Sequence, residues 1–412
     1  MGDFDFGLGL VRDIVNALKR CHNVTDIGSL SEAQKLEALC TVLGFSRDQI
    51  DSLIADNPPV LRTVQGHVFE ELFDNLVERN GYAIKKVGGD TGVDRILNGH
   101  SLQLKTPTRA GTNGTVVQYK THKTHGAKSE LESLDYYHRK SDFADFLVGL
   151  VTYDPLCILV LPRNSLPTHP EDDDRIRSPF EVSWAGHPGL NAFGRLGIRE
   201  LDVSVIERLV HPEGSLLPKS SQRIGAHSSL IIDAILRVEN FRIWDMNMRG
   251  FAREVALKAF LTEHRIVPES PTHCSRPRAD KGDLALTRRD GQTCEHFQIK
   301  GLTLGACEFE AHDPVLAIET QLSRGRVNDH PTQSRLYLST DFDAVIVCLE
   351  PLTVEKARKK PVTRRQWEFY AIPVSALGRH AKFGTRIASM QKFPYGKIQQ
   401  YRIDKAWLGQ WV

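Results

Sequence analysis

The chain carries the same series of distinctive residues in its two halves, and this repetition constrains the fold more than any other feature. Five segments of the first half have counterparts in the second half, in the same order. The offset between partners grows from 184 to 211 residues along the chain. The pairs are Glu70 with Glu254, Asp94 with Asp283, Lys105 with Lys300, Asp142 with Asp341, and Pro162 with Pro373. Five collinear matches indicate an internal duplication, with loop insertions in the second copy.

Two short motifs define each copy. A glycine is followed four residues later by a glutamate, as in Gly66 to Glu70, and this motif is predicted to open an amphipathic helix. Further on, an aspartate precedes a Gln-x-Lys strand, which is Gln103 to Lys105 in the first copy and Gln298 to Lys300 in the second. Because side chains alternate along a strand, the glutamine and the lysine share one face.

The matches divide the chain into five parts. We predict a helical region, a first repeat, an insert that supplies contacts to the substrate, a second repeat, and a basic and aromatic tail. Their predicted bounds are 1–60, 61–166, 167–245, 246–378 and 379–412. Within each repeat the predicted order is helix, strand with aspartate, Gln-x-Lys strand, a further strand or loop, helix, then apolar strands. This order predicts an α/β unit with a mixed central sheet flanked by helices.

The overall composition says little about partners, since 53 Lys and Arg residues nearly balance 51 Asp and Glu residues. Two local basic clusters are candidate nucleic-acid contacts, with solvated loops as the alternative. The first contains Lys120, Lys123 and Lys128, and the second contains Lys359 and Lys360.

The chain has no apolar run long enough for a membrane span and no signal peptide, so we predict a cytoplasmic protein. The seven cysteines are singly spaced and are predicted to be reduced thiols.

The paired motifs suit phosphodiester hydrolysis. That reaction needs an activated water and stabilisation of negative charge, and a Mg²⁺ ion held by carboxylates provides both. Lys105 and Lys300 stand between apolar neighbours, and a lysine buried there needs an anionic partner. The alternative for each is a lysine that extends to solvent from an edge strand. The recurrence of lysine after an aspartate in both copies favours a site.

A helix glutamate, an aspartate and a Gln-x-Lys strand in this order resemble the PD-(D/E)XK nuclease superfamily, and type II restriction endonucleases most of all. The resemblance implies that Asp94 and Asp283 bind the metal, that Gln103 and Gln298 occupy the second ligand position, and that Lys105 and Lys300 are catalytic. It covers both repeats. No proline precedes either aspartate, and glutamine replaces the usual acid.

The glutamines matter because an amide oxygen is a weaker ligand for Mg²⁺ than a carboxylate. Glu70 and Glu254 are candidates to restore the missing charge, and the alternative is that both face solvent. Activity therefore depends on whether these glutamates approach the metal.

Two such folds in one chain resemble a homodimeric restriction enzyme fused into one polypeptide. The predicted fold is therefore two tandem restriction-endonuclease-like α/β domains that form a pseudo-dimer, plus the N-terminal helical region. The predicted function is a Mg²⁺-dependent type II endonuclease that cuts both strands of double-stranded DNA as a monomer with internal pseudo-twofold symmetry, beside a companion DNA methyltransferase. The alternatives are a repair or structure-specific nuclease, and a DNA-binding protein with one or both nuclease folds inactive.

Overall fold

The computed structural model describes eleven stretches of the chain: residues 29–43, 45–87, 92–110, 114–121, 134, 137–236, 238–270, 282–304, 315–320, 336–349 and 367–412. Its described helices are α1 (Glu32–Leu43), α2 (Arg47–Ala55), α3 (Pro58–Arg79), α4 (Glu207–Val210), α5 (Pro218–Ile224), α6 (Ser228–Leu236), α7 (Val238–Glu263), α8 (Tyr395–Ile398) and α9 (Lys405–Leu408). The chain divides into two compact units, residues 1–37 with 47–245, and residues 38–46 with 246–412.

The strands of the first unit form one main sheet and two small ones. They are β1 (Ile84–Lys86), β2 (Arg95–Leu97), β3 (His100–Lys105), β4 (Arg109–Ala110), β5 (Val116–Tyr119), β6 (Phe146–Thr152), β7 (Cys157–Pro162), β8 (Thr168–His169), β9 (Asp172–Ile176) and β10 (Phe180–Ser183). The main sheet has the order β1-β2-β3-β6-β7. Only β3 and β6 run parallel in it, and the other neighbours are antiparallel.

Helix α3 packs against β3 and α6, and it begins earlier than the sequence predicted. It starts at Pro58, where proline suits the first turn, and buried Val60 and Val64 extend its apolar face upstream of Gly66. In the second unit, Gly250 likewise lies inside α7. Both glycines are therefore interior helix residues, and the prediction that they open their helices is wrong.

The insert shares a core with the N-terminal helices. The carboxylate of Asp51 on α2 is buried and accepts hydrogen bonds from the backbone N–H groups of Lys219 and Ser220, at 2.9 and 2.8 Å. These are the first N–H groups of α5, which a helix leaves without intrahelical partners. Asp51 therefore caps α5 from another helix and fixes this part of the insert to α2.

The second unit is built around a six-stranded sheet. Its strands are β11 (Leu284–Thr287), β12 (Cys294–Leu304), β13 (Val315–Glu319), β14 (Ala344–Leu349), β15 (Glu368–Pro373) and β16 (Met390–Pro394). The order is β15-β14-β12-β13-β16, and β11 also pairs with β12. Here β12 and β14 run parallel, and the other pairs are antiparallel. The prediction of a mixed α/β protein is confirmed, with each described sheet formed inside one unit.

The last 34 residues pack into the second unit. Trp411 is buried, and its ring lies 5.5 Å from that of Phe297 on β12, edge to face. The guanidinium of Arg288 lies over the Trp411 ring, 5.2 Å from its centroid. The predicted tail therefore contributes aromatic side chains to the core beside the Gln-x-Lys strand.

The cysteines differ in state. Cys40, Cys157 and Cys348 carry reduced thiols, whereas Cys294 forms a disulfide. The prediction that every cysteine is reduced is therefore wrong for Cys294. No helix in the described part of the chain has the length and apolar character needed to cross a membrane.

Candidate active sites in the two units

The first candidate centre is built around Asp94, at the start of β2. Its backbone N–H donates to the carbonyl oxygen of Leu102 on β3, at 2.7 Å. This pairing turns the Asp94 carboxylate toward β3, where its Oδ2 accepts hydrogen bonds from Gln103 Nε2 at 2.6 Å and from the Leu104 N–H at 2.8 Å. The structure thus brings together the aspartate and the Gln-x-Lys strand of the first repeat.

The second candidate centre repeats these contacts. The Asp283 N–H donates to the carbonyl oxygen of Phe297 at 2.8 Å. Asp283 Oδ2 accepts hydrogen bonds from Gln298 Nε2 and, at 2.8 Å, from the Ile299 N–H. Gln298 Oε1 is buried and has no hydrogen-bond partner among the described residues. This oxygen is therefore available to a ligand that accepts an electron pair, such as a cation.

Both lysines lie on interior strands. Lys105 is on β3, between β2 and β6, and Lys300 is on β12, between β11 and β14. Neither strand is at the edge of its sheet, and each lysine lies beyond the last residue that pairs with β2 or β11. Lys300 Nζ lies 3.3 Å from the hydroxyl oxygen of Tyr337 and 5.2 Å from the centroid of its ring. Burial lowers the pKa of Lys300, although the negative charges of Asp283 and Glu319 oppose this shift.

The helix glutamates and the aspartates influence each other through their charges. Glu70 on α3 is one-quarter exposed. The pKa of Asp94 is raised first by burial and then by the negative charge of Glu70, and the charge of Lys105 opposes this shift. Glu254 on α7 is one-third exposed. Burial, followed by the charge of Asp283, raises the pKa of Glu254, and Lys258 opposes this shift. Both glutamates are therefore partly buried, and their approach to a metal stays a prediction.

Glu70 differs from Glu254 in its cationic neighbours. Burial raises the pKa of Glu70, but its contacts with His67 and Arg95 outweigh burial and hold that pKa below its ordinary value. The pKa of Asp283 is raised, first by burial, against the hydrogen bond from Ile299 and the charge of Lys300. The two centres therefore share a geometry but differ in charge.

Each centre offers two carboxylates and one amide as oxygen ligands. In the described residues no three His, Cys, Asp or Glu side chains cluster as a metal site. Mg²⁺ nevertheless fits such a set, because it usually keeps several waters and binds one or two protein carboxylates. The unpartnered Gln298 Oε1 beside Asp283 supports this fit.

The predicted DNA contacts are only partly within the described residues. Lys120 is exposed just after β5. Lys123, Lys128, Lys359 and Lys360 lie outside the described residues.

Sequence reasoning missed two aspartates that hold the Gln-x-Lys strands in place. Asp145 Oδ2 accepts the N–H of Ser101 at 2.9 Å, and Asp343 Oδ2 accepts that of His296 at 2.8 Å. Asp145 comes two residues after the first matched Asp-Phe pair and Asp343 comes directly after the second, and each stands directly before an apolar strand. That position was the available signal.

The sequence model of a family described as restriction endonuclease matches residues 61–144. This stretch is similar to the catalytic domains of restriction endonucleases of the PD-(D/E)XK type. The matched segment contains Glu70, Asp94, Gln103 and Lys105, which are the residues of the first centre. It indicates a nuclease that hydrolyses DNA, and nucleases of this type typically use divalent metal ions. No curated protein and no solved structure matches the chain.

Proposed function

We propose that the protein is a Mg²⁺-dependent type II restriction endonuclease whose single chain acts as a pseudo-dimer and cuts both strands of double-stranded DNA. One observation carries this proposal. The hydrogen bonds that hold Asp94 against Gln103 and Leu104 recur around Asp283, with Gln298 and Ile299. A contact pattern that joins an aspartate, an amide side chain and a backbone N–H, with a lysine two residues on, is improbable twice by chance.

The strand registers support a duplication of the whole domain. In the first unit Gln103 pairs with Leu147, and Phe146 pairs with Pro162. In the second unit Gln298 pairs with Val345, and Ala344 pairs with Pro373. The sequence matches chosen from residue types alone therefore coincide with equivalent positions in the two sheets.

The equivalence extends beyond the predicted ends of the repeats. Ile176 donates its N–H to the carbonyl oxygen of His138, as Ile387 does to that of Tyr337. The antiparallel pair β5 and β10 corresponds to β13 and β16. We therefore extend the proposed repeats to about residue 183 and about residue 394, so that each includes this second pair of strands.

The residues of each centre have separate tasks in the proposed reaction. The aspartate, the helix glutamate and the glutamine oxygen would hold the cation. Mg²⁺ bound there would lower the pKa of a water molecule and stabilise charge on the phosphoryl oxygens. The lysine ammonium lies beside the aspartate, where it stabilises the negative charge that develops on the phosphate. Tyr337 positions Lys300 through its hydroxyl and ring.

Restriction implies a way to protect the host, so a companion DNA methyltransferase and a cytoplasmic location are parts of this proposal. The insert and the basic clusters would then contact the DNA backbone and grooves.

A second candidate function is a DNA-binding protein with inactive centres. It is favoured by the glutamine that stands in each centre where the resemblance leads one to expect an acid.

The experiment that separates these candidates uses unmethylated plasmid and phage DNA with purified protein and Mg²⁺. Discrete fragments with defined ends are expected. The double variant Asp94→Asn with Asp283→Asn should lose cleavage but still shift DNA in a gel at moderate salt. Asp174→Asn, an exposed aspartate in the same chain, is the matched control and should cleave normally. Binding without cleavage by the wild-type protein would establish the inactive alternative instead.

A further inference from the structure

The helix glutamate of the first centre is held by a buried arginine. Arg95 follows Asp94 directly, and its Nη2 lies 3.2 Å from Glu70 Oε2. The same guanidinium makes two hydrogen bonds to Asp74, from Nε to Oδ1 at 2.8 Å and from Nη2 to Oδ2 at 3.1 Å. The side chain of Arg95 is 7% exposed and that of Asp74 is 0% exposed. Such a bidentate, charge-assisted pair fixes the guanidinium in one place.

The second centre has different residues at both of these positions. Leu284, which is fully buried, follows Asp283 where Arg95 follows Asp94. Lys258 stands four residues after Glu254, where Asp74 stands four residues after Glu70. The Lys258 ammonium lies 3.8 Å from Glu254 Oε2, and its side chain is 50% exposed. The counter-charge of Glu254 is thus a flexible lysine in contact with water.

This difference changes what a cation meets on entering each centre. At the first centre the cation competes with the Arg95 guanidinium for Glu70, and Asp74 holds that guanidinium in place. Glu70 can therefore bind the metal only by breaking its ion pair with Arg95. At the second centre Lys258 can move into solvent at little cost, because exposed ion pairs are weak. Glu254 is then available beside Asp283.

We propose that the two centres bind divalent cations with unequal affinity, the second more tightly, and that Arg95 and Asp74 are the positioning residues that set this difference. The inference rests on the proposed function, since it assumes that both centres hold metal. It implies that the centres fill in order as the concentration of Mg²⁺ rises, and that one strand is cut before the other at low Mg²⁺.

The test measures metal binding directly, with Mn²⁺ as the probe and the electron paramagnetic resonance signal of free Mn²⁺ as the readout. The wild-type protein should bind in two phases whose dissociation constants differ by about tenfold or more, equivalent to about 1.4 kcal/mol. Asp283→Asn should remove the tight phase, and Asp94→Asn should remove the weak phase. Equal affinities in these two variants, or a tight phase that survives Asp283→Asn, would overturn the inference.

Exchange of residues between the centres tests the cause. Arg95→Leu with Asp74→Lys gives the first centre the residues of the second, and its affinity should rise to that of the second. Leu284→Arg with Lys258→Asp should weaken the second centre in the same way. Circular dichroism establishes that each variant folds, and if an exchange variant does not fold, the single aspartate variants still decide the question.

The two proposals fail in distinguishable ways. Cleavage of DNA by a protein with two equal metal phases would leave the proposed function intact and contradict the inequality. Absence of both Mn²⁺ binding and cleavage in the wild-type protein would contradict the proposed function itself.

Discussion

Arg95→Leu is the substitution that tests most sharply how the first centre is held together. It removes four charge-assisted hydrogen bonds, two to Asp74, one to Glu70 and one to the backbone carbonyl oxygen of Asp94, and leaves Asp74 as a fully buried carboxylate. Breaking a buried ion pair by removing one partner costs about 3–5 kcal/mol. Lys86 Nζ remains 3.5 Å from Asp74 Oδ2 and compensates part of the charge. We therefore expect the lower end of that range, about 3 kcal/mol.

For a unit of this size, each kcal/mol lowers the midpoint of thermal unfolding by about 2–4 °C. Arg95→Leu should thus lower it by about 6–12 °C, measured by circular dichroism on the metal-free protein. Arg199→Leu is the matched control, because Arg199 is exposed in the same unit. The control should shift the midpoint by less than about 2 °C, since surface substitutions usually change stability by under 0.5 kcal/mol.

A second substitution separates the buried charge from simple loss of packing. Arg95→Leu with Asp74→Leu removes both charges, and replacement of a buried ion pair by apolar residues is often neutral. The double variant should recover more than half of the lost stability. The reasoning would be refuted if Arg95→Leu were as stable as Arg199→Leu. It would also be refuted if the double variant were as unstable as Arg95→Leu alone.

Three further predictions concern stability in the absence of metal. Because the pKa of Asp283 is raised above its ordinary value of 3.8, ionisation there opposes folding. The native state then binds more protons than the unfolded state above pH 3.8, so stability falls as pH rises through the raised pKa. In urea unfolding, Asp283→Asn should match the wild-type protein below pH 3.8 and be more stable than it at pH 7. Equal stability at both pH values would be the contrary result. Asp51→Ala should cost about 2 kcal/mol, because it uncaps α5 and removes the buried carboxylate that accepts from the Ser220 hydroxyl, whereas exposed Asp48→Ala should cost under 0.5 kcal/mol. Gly149→Ala should cost about 2–3 kcal/mol, because a Cβ there would lie 2.4 Å from the ring of Tyr119. Gly66→Ala, in an open helical position, should instead stabilise the protein by about 0.5–1 kcal/mol. Similar effects of the two substitutions on stability would contradict this packing.

The candidate centres could be predicted to a large extent because their chemistry is local. The strand period places Gln103 and Lys105 on one face, and a duplicated motif identifies Asp94 and Asp283 without knowledge of the fold. The helix glutamates were found for the same reason, since each recurs at a fixed distance from a glycine. The glycines themselves were misread as helix starts, because Val60 and Val64 continue the apolar face of α3 upstream.

The interactions that distinguish the two centres could not be predicted in this way. Arg95 meets Asp74 across 21 residues of sequence, and only the packing of α3 against β3 brings them together. Asp145 rather than Asp142 holds β3, because the strand pairing and not the Asp-Phe pattern decides which carboxylate reaches Ser101. Such contacts depend on the tertiary fold.

The most direct test of the account is strand-resolved cleavage of supercoiled plasmid by lysine variants of each centre. Wild-type protein should produce linear DNA from one binding event. Lys105→Ala and Lys300→Ala should each produce only nicked circles, and sequencing of the ends should place the two nicks on opposite strands. Linear DNA from either single variant, or nicks on the same strand in both, would contradict the proposal that each centre cuts one strand.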